Sequence, residues 1–327
     1  MKGTTAILDA AAGNGMAALM RNGQLQDLLF DLDPADTTPI PGAIYRAVVD
    51  RPLKGMGAGM LRLGNGQSGF LKGMKGLAPG DTLLVQIATF ADDGKAVPVS
   101  TKILFKSRYV IVTPSAPGIN VSRSIKDEDQ RDALLEIAHE ARGEGTEGLI
   151  LRSVCADAEP EAIAEDIEHT ITLARDVMAD VDGAEPELLL AAPTAALQAW
   201  RDWPSPEEVV ETEGAFESHG VWEAIAALES PRTNLSGGAW MTVEPTRALV
   251  AVDVNTGGDF SPAAALKANL AAARELPRQL RLRGLGGQIV VDFAPMNKRN
   301  RTQIEGALRA ALRQDSVETM LVGWTPL

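Results

Sequence analysis

Two apolar segments that each contain one aspartate constrain the fold of this chain most. They are ALVAVDVNT at 248–256 and GQIVVDFAP at 287–295, and Asp253 and Asp292 lie where each apolar run is about to end. Short apolar runs of this length are typical of buried strands. A charge in such a run is costly unless it is paired or bound to a metal, so each aspartate is expected to have a partner.

The segment between these predicted strands carries the start and stop signals of a helix. Ser261 is a favourable N-cap, Pro262 suits the first turn, and Gly284 suits the end. A strand–helix–strand unit almost always gives neighbouring parallel strands. The sequence therefore predicts two carboxylates side by side at the carboxyl edge of an α/β sheet, where such sheets bind their ligands.

Two carboxylates at that distance repel each other unless a proton or a cation lies between them. Magnesium is suited to the position, because it uses few protein carboxylates and keeps several waters. Asn255 is two residues beyond Asp253 and points to the same side of a strand, so its amide can orient a carboxylate or a phosphate oxygen. The alternative is that Asp253 and Asp292 only cap helices or form salt bridges.

The formal net charge of −13 is unfavourable for a nucleic-acid-binding protein, but it hides a local pattern. Local field rather than net charge decides where a polyanion binds. A basic rim is predicted around the acidic edge, and it consists of Arg281, Arg283, Lys298, Arg299 and Arg301. An acidic centre with a basic rim is what metal-assisted phosphodiester cleavage needs.

Cysteine and histidine usage excludes other classes of site. A single cysteine, Cys155, rules out a disulfide framework and a Cys-only zinc site within one chain. It follows the apolar stretch GLILRSV, so a buried thiol is favoured over a nucleophile. The three histidines have no metal-ligand spacing. The chain lacks a secretory signal and a long apolar run, so a cytoplasmic location is expected.

Residues 39–105 have the pattern of a small barrel. Short strand candidates are separated by turns rich in Gly, Pro and Asp, and about five strands fit an OB-type barrel. Such barrels bind single-stranded nucleic acid through aromatic platforms and basic grooves. Phe70 is the candidate platform, with Lys95 as a basic neighbour, while the alternative places Phe70 in the core.

Residues 106–184 alternate between predicted strands and helices, which indicates an α/β layer. Arg123 and Arg152 each follow an apolar run, and each neighbours a hydroxyl residue, Ser122 or Ser153. Arginine and hydroxyl groups at a strand end can hold a phosphate through charge-assisted hydrogen bonds. A surface salt bridge is an equal alternative for either arginine.

Several of these segments together resemble the ribonuclease E/G family. The match is strongest in AVDVN and in ANLAAARELPRQLRLRGLGGQIVVDF, and it continues in family order through IYRAVV, SGFLKG, RYVIVTP, VSRSI and GLILRS. The resemblance implies a ribonuclease-H-like subdomain split by an OB-type RNA-binding barrel and a 5′ sensor, followed by a nuclease-like α/β catalytic subdomain. The expected boundaries are 1–38 and 185–235 for the split subdomain, 39–105 for the barrel, 106–184 for the sensor and 236–327 for the catalytic subdomain.

The resemblance also implies an activity. Family members are endoribonucleases that cut single-stranded, often A/U-rich RNA in rRNA and mRNA processing and decay, leaving 5′-phosphate and 3′-hydroxyl ends. The implied catalytic residues are Asp253, Asn255 and Asp292, with magnesium on the two aspartates. The remaining implied residues are Phe70 and Lys95 for RNA and Arg152, Ser153, Arg123, Ser107 and Ile111 for the 5′-monophosphate sensor.

One departure from the family pattern is mild, since Ser153 replaces the sensor threonine and keeps a hydroxyl. Three other departures matter more. Met60 stands where the barrel commonly has a second aromatic, the basic loop after Asn255 is missing, and the family's cysteine-containing zinc link is not found up to Leu327. A short family member or a missing C-terminus is expected from the last point. A zinc-linked tetramer is therefore not expected, whereas a homodimer stays open. The competing interpretation is an RNA-binding protein without useful catalysis.

Overall fold

A computed structural model describes residues 3–9, 15–33, 35–53, 55–64, 66–74, 76–91 and 94–325. The chain divides into two compact units. The first unit comprises Met1–Leu29 and Pro206–Leu327, and the second comprises Phe30–Ser205. The strands and helices of each unit follow from local sequence patterns, and we number them in chain order.

The sheet that carries both aspartates lies in the first unit, and we call it the C-terminal sheet. Its strand order is β15-β16-β17-β18. The strands are β15 (Arg232–Asn234), β16 (Trp240–Pro245), β17 (Val250–Asn255) and β18 (Ile289–Asp292). Helix α6 (Pro262–Leu282) connects β17 to β18, and helix α7 (Lys298–Gln314) follows β18. β17 and β18 are parallel, which confirms the predicted crossover unit.

Helix α6 begins and ends as the sequence predicts. The Ser261 hydroxyl accepts a hydrogen bond from the backbone N–H of Ala264 at 3.2 Å, and Pro262 is the first helical residue. Gly284 has a φ of 62°. This left-handed conformation lets the backbone N–H of Leu285 donate to the carbonyl of Leu280 at 2.9 Å, which closes the helix end.

A second sheet of the first unit has the strand order β14-β1-β2-β3. Its strands are β1 (Thr4–Asp9), β2 (Met16–Arg21), β3 (Gln24–Phe30) and β14 (Glu208–Glu211), and helices α4 (Ala215–Ser218) and α5 (Val221–Glu229) follow. Asn22 and Gly23 join β2 to β3 with φ values of 50° and 77°, the conformation that Asn-Gly hairpins favour. β1 pairs in parallel with β14, so the sheet joins two distant chain segments.

The second unit contains a closed barrel. Its strands are β4 (Ile44–Leu53), β5 (Ala58–Gly64), β6 (Gln67–Lys72), β7 (Thr82–Ile87) and β8 (Val97–Ser100). The order β4-β5-β6-β8-β7 closes through the pairing of β4 with β7, and β13 (Glu187–Leu190) adds to β4 from outside. The predicted five-strand, OB-like barrel is confirmed. Its core includes Val49, Leu61, Leu63 and Val85.

The rest of the second unit is an α/β layer with strand order β11-β12-β10-β9. The strands are β9 (Phe105–Lys106), β10 (Val110–Thr113), β11 (Ile119–Val121) and β12 (Gly148–Leu151), and the helices are α1 (Glu128–Arg142), α2 (Pro160–Ala179) and α3 (Ala195–Asp202). The apolar stripe of α2, which includes Ile163, Ile167 and Ile171, packs in the same core as these strands. Cys155 is buried here, as predicted.

The fold is therefore of the mixed α/β class that the sequence predicts. Two strand pairings cross the predicted subdomain boundaries, because β13 pairs with the barrel and β15 with the C-terminal sheet. No helix in the described part of the chain is both long and apolar enough to cross a bilayer.

Candidate active site

Asp253 and Asp292 are direct neighbours across the parallel ladder of β17 and β18. Neighbouring strands lie about 4.8 Å apart, so the two carboxylates are close to each other. Both residues are exposed. The structure thus brings together the two aspartates that the sequence places at strand ends.

The C-terminal sheet is apolar on one face and polar on the other. Met241, Val243, Val252 and Val254 are buried, and α6 and α7 contribute to the same core. On the other face, strand register aligns Arg232, Thr242, Asp253 and Asp292 in one row across the four strands. The neighbouring row contains Asn234, Trp240 and Asn255. This polar face is the candidate active-site surface.

Asn255 is oriented as predicted. It lies two residues beyond Asp253 on β17, and its Nδ2 donates a hydrogen bond to Oδ2 of Asp253 at 2.5 Å. One carboxylate oxygen of Asp253 is thereby fixed, while the side chain stays exposed. The amide can hold the carboxylate in one orientation for a ligand.

The turn after Asn255 is compact. Gly257 has a φ of 74°, and a Cβ atom there would lie 2.5 Å from the carbonyl oxygen of Gly238. Only glycine allows this close approach between the turn after β17 and the turn before β16. Gly257 therefore has a packing function in this turn, whereas a Cβ atom at Gly258 would meet nothing within 4 Å.

Asn269 is a residue of this region that sequence reasoning missed. It lies on α6 and is fully buried. Its Nδ2 donates to the carbonyl of Ala294 and its Oδ1 accepts from the N–H of Ala294, both at 2.9 Å. Ala294 is two residues beyond Asp292, so Asn269 fixes the path of the chain just after the aspartate. In the sequence, this role is indicated by the presence of one asparagine among the alanines of the buried face of α6.

The predicted basic rim is only partly present at the acidic edge. Lys298 and Arg299 are exposed in the first turn of α7, six and seven residues after Asp292. α7 begins just beyond the carboxyl end of β18. Both residues therefore lie near the same edge of the sheet as the two aspartates. Arg301 instead covers the ring of Trp324, at 4.8 Å from its centroid.

The expectation that Arg281 and Arg283 border the aspartates is wrong. Helix α6 connects parallel strands, so it runs antiparallel to them and ends at the opposite edge of the sheet. Its 21 residues span about 31 Å. The sequence shows where charges cluster along the chain, but it does not show which end of a long helix faces the site.

Both arginines have structural partners at that opposite edge. Arg281 pairs with Asp315, at the end of α7, and donates to the carbonyl of Gln26 at 2.7 Å. Arg283 donates to the carbonyl of Leu228 at 2.6 Å, and burial lowers the pKa of its guanidinium. These contacts hold the first unit together.

Phe70 lies on the outer surface of the barrel. Gly69 and Leu71 on either side of it are buried, whereas Phe70 is half-buried and is paired in register with Met60 and Pro98. The alternative that Phe70 belongs to the core is therefore wrong. Lys95 is exposed in the turn before β8.

The predicted sensor residues come together at the carboxyl ends of β11 and β12. These strands are parallel, and Val121 pairs with Leu151, so the segments containing Arg123 and Arg152 leave the sheet side by side. Arg123 and Ser153 are exposed. Nη1 of Arg152 donates to the carbonyl of Ser107 at 2.6 Å, which brings a third predicted residue to the same place.

The remaining predicted sensor residue, Ile111, is half-buried on β10 and pairs with Ile150 of β12. Sequence reasoning missed Asp202, at the end of α3. Nη2 of Arg152 donates to Oδ1 of Asp202 at 2.9 Å, and Arg201 also pairs with this carboxylate. Burial alone raises the pKa of Asp202, but the two arginines lower it below its usual value. The carboxylate thus stays charged beside the candidate sensor arginine.

In the described part of the chain, no group of three or more His, Cys, Asp or Glu side chains is arranged to hold a metal. The candidate metal site is the pair Asp253 and Asp292, with Asn255 beside them. Two exposed carboxylates with open oxygens fit magnesium, which keeps several waters and also binds substrate phosphates.

Comparisons with known proteins identify the family of this chain. The model of the ribonuclease E/G family matches residues 105–210 and 205–327. A ribonuclease E from a Nostoc species is 28% identical over 95% of this chain and 53% of its own length. A ribonuclease G from Escherichia coli is 25% identical over 88% of this chain and 71% of its own length.

The chain spans about half the length of the cyanobacterial relatives, since a ribonuclease E from a Synechocystis species is matched over 54% of its length. The family model nevertheless covers the C-terminal sheet, both of its helices and the sensor layer. This chain belongs to the ribonuclease E/G family.

Proposed function

We propose that this protein is a magnesium-dependent endoribonuclease that cuts single-stranded, A/U-rich RNA in rRNA and mRNA processing and decay. It leaves 5′-phosphate and 3′-hydroxyl ends. The observation that carries the proposal is the direct pairing of Asp253 with Asp292 on an exposed sheet face, with Asn255 hydrogen-bonded to Asp253. Membership of the ribonuclease E/G family supports the same reaction.

Asp253 and Asp292 are the residues that would hold magnesium. When bound, the metal lowers the pKa of a coordinated water and stabilises charge on the phosphoryl oxygens. Asn255 keeps the Asp253 carboxylate in one orientation, and Asn269 fixes the chain after Asp292. Supporting residues of this kind matter because they orient the side chains that bind the metal.

The surroundings of the pair favour a phosphodiester substrate. Helices α6 and α7 both begin on the side of the sheet where β17 and β18 end, so their positive dipole ends favour anions there. Lys298 and Arg299 add two exposed cations in the first turn of α7. These residues would bind phosphates that flank the cleaved bond. Arg281 and Arg283 are not assigned to RNA, because their guanidinium groups serve other contacts.

The second unit would supply further contacts to RNA. Phe70 offers an aromatic side chain on the outer face of the barrel, and Lys95 offers a basic contact. The 5′-monophosphate would bind near Arg152, Ser153 and Arg123, with Ser107 and Ile111 as supporting residues. Because Asp202 already occupies one terminal nitrogen of Arg152, a phosphate must compete with this carboxylate.

The subdomain arrangement is part of the proposal. Residues 1–38 and 185–235 would form the split ribonuclease-H-like subdomain, and the parallel pairing of β1 with β14 supports their association. Residues 39–105, 106–184 and 236–327 would be the barrel, the sensor and the catalytic subdomain.

A second candidate is an RNA-binding protein that cleaves poorly or not at all. Met60 directly faces Phe70 across the ladder, so the position beside the aromatic platform lacks a second ring. The turn after Asn255 also passes through Gly257 and Gly258, which carry no side chains. Intact Asp253, Asn255 and Asp292 favour the enzyme over this alternative.

The test is cleavage of a 5′-labelled, single-stranded A/U-rich RNA with magnesium and with EDTA. We expect metal-dependent internal cleavage, with 3′-hydroxyl ends that poly(A) polymerase can extend. Tight RNA binding without cleavage under any divalent metal would favour the second candidate. Products with 2′,3′-cyclic phosphate ends would exclude a metal-activated water as the nucleophile.

A further inference from the structure

One aromatic side chain, Trp240, interrupts the polar face of the C-terminal sheet. Trp240 is the direct register partner of Asn255 across the antiparallel ladder of β16 and β17. The neighbouring pair in the same ladder, two residues further along, is Thr242 and Asp253. Two positions along a strand correspond to about 6.6 Å and neighbouring strands lie about 4.8 Å apart, so Trp240 and Asp253 are diagonal neighbours across the ladder.

Arg232 of β15 forms a cation–π contact with this tryptophan. Its guanidinium carbon lies 4.6 Å from the centroid of the Trp240 ring. Its Nε donates to Oδ1 of Asn234 at 3.3 Å, which holds the guanidinium on one side. Arg232 is exposed and Trp240 is half-buried. Unlike Arg281, Arg232 has no ion pair with a carboxylate among the residues that the structure describes.

Arg232 also belongs to the row that contains Thr242, Asp253 and Asp292. Its backbone lies two strands from Asp253, a distance of roughly 10 Å. A cation and an aromatic ring therefore lie at fixed positions on one side of the aspartate pair. Bases stack on aromatic rings, and arginine binds phosphate while it stacks on the same ring.

We propose that Trp240 and Arg232 form a nucleotide-binding subsite next to the scissile phosphate of single-stranded RNA. The indole stacks on the base of one flanking nucleotide, and the Arg232 guanidinium binds that nucleotide's phosphate. This subsite deepens the proposed function and rests on it. It would place the backbone of the substrate across the row of Thr242, Asp253 and Asp292.

Trp240 is a better candidate for this role than Phe260, although Phe260 is 89% exposed. Trp240 is held in a strand whose register with Asn255 is fixed. Phe260 lies in the connection before α6, and its ring has no aromatic or cationic partner within the described residues. A rigidly held ring can fix the position of a base relative to the reacting bond.

The experiment combines protein variants with base deletions in the RNA. The substrate is a single-stranded oligonucleotide with one mapped cleavage site, and each nucleotide within two positions of that site is replaced in turn by an abasic ribose. We expect Trp240→Ala to lower kcat/KM on intact RNA by roughly 5- to 100-fold, as stacking of one base requires. Trp240→Phe should keep most of the activity.

One of these abasic RNAs lacks the base that stacks on the indole. The wild type and Trp240→Ala should cleave that RNA at the same rate. A loss by Trp240→Ala that is equal on every abasic RNA would overturn the subsite, since it would reflect packing alone. An unchanged kcat/KM would overturn it as well. Trp222→Ala, at a tryptophan of α5 outside the C-terminal sheet, is the control and should cleave like the wild type.

A binding measurement separates this subsite from the proposed reaction. In EDTA, addition of RNA should quench tryptophan fluorescence, and Trp240→Phe should lose that quenching while Trp222→Phe keeps it. Retention of the full quenching in Trp240→Phe would overturn the subsite. If Asp253→Asn still cleaves RNA normally, the proposed catalytic site fails, whatever the fluorescence shows.

Discussion

The side-chain amide of Asn269 forms a two-hydrogen-bond clamp with the backbone of Ala294. Both bonds measure 2.9 Å, and Asn269 is fully buried. Asn269 lies on the helix that follows Asp253 and Asn255, and Ala294 follows Asp292. The clamp therefore links the chain segments that support both carboxylates.

We predict that Asn269→Leu weakens metal binding as well as stability. The variant leaves the N–H and carbonyl of Ala294 buried without partners, which costs about 2–4 kcal/mol in the free energy of unfolding. It also loosens the segment after Asp292, so the magnesium concentration for half-maximal cleavage should rise roughly tenfold. Thermal unfolding and a magnesium titration measure the two effects.

Gln279→Leu is the matched control for the clamp. Gln279 is also a buried amide on α6, but it contacts Thr233 and Glu275 toward the other end of the helix. It should lose comparable stability without a change in the magnesium requirement. If both variants shift the magnesium titration equally, Asn269 acts only through stability.

The contact between Asp202 and Arg152 gives a prediction about the 5′ end of the RNA. Asp202→Asn removes a charge that competes with phosphate for Arg152, so the preference for 5′-monophosphate over 5′-hydroxyl RNA should rise by about three- to tenfold. The comparison of cleavage rates on the two RNAs measures it. Because the pKa of Asp202 is lowered, the wild-type preference should not change through this group between pH 6 and 8.

Glu147→Gln serves as the control for this prediction, since it breaks the ion pair with Arg175 at the other end of β12. It should leave the end preference unchanged. A lower preference in Asp202→Asn would mean that the carboxylate orients Arg152 for phosphate instead of competing with it.

Phe70 should contribute to RNA affinity but not to stability. Its ring lies outside the barrel core, so Phe70→Ala should change the melting temperature by only one or two degrees. The dissociation constant for single-stranded RNA should rise by roughly 5- to 100-fold, as loss of one stacking platform implies. Fluorescence anisotropy with labelled RNA measures it. Phe30→Ala, at an exposed phenylalanine outside the barrel, should leave affinity unchanged.

Cys155 should be unreactive in the folded protein. Burial raises the pKa of its thiol to about 11, so about one molecule in a thousand carries the thiolate at pH 8. Iodoacetamide at pH 8 should label the thiol only after unfolding in guanidinium chloride. Rapid labelling of the folded protein would show that this core opens.

The sequence predicts the elements whose signals are local. The caps of α6, the barrel and the parallel pairing of Asp253 with Asp292 all follow from capping residues, strand periodicity and the crossover rule. Phe70 lies on the outer surface of the barrel, and the segments that contain Arg123 and Arg152 leave neighbouring strands side by side.

The sequence does not show which residues that are distant along the chain come into contact in the fold. Arg281 and Arg283 count as basic residues near the site in the sequence, but a long helix carries them to the opposite edge of the sheet. Asn269 and Asp202 look ordinary until folding brings Ala294 and Arg152 to them. The position of Trp240 depends on strand register, which no local pattern of β16 reveals.

The most direct measurement is the single-turnover cleavage rate of Asp253→Asn, Asp292→Asn and Glu244→Gln with saturating magnesium. Glu244 is an exposed acid on the same face of the same sheet, opposite Ala251 in register. The two aspartate variants should each lose roughly 100- to 1,000-fold in rate, which is the usual cost of removing one group that stabilises the transition state. Glu244→Gln should cleave like the wild type. Wild-type rates in either aspartate variant would contradict the assignment of this pair as the catalytic centre.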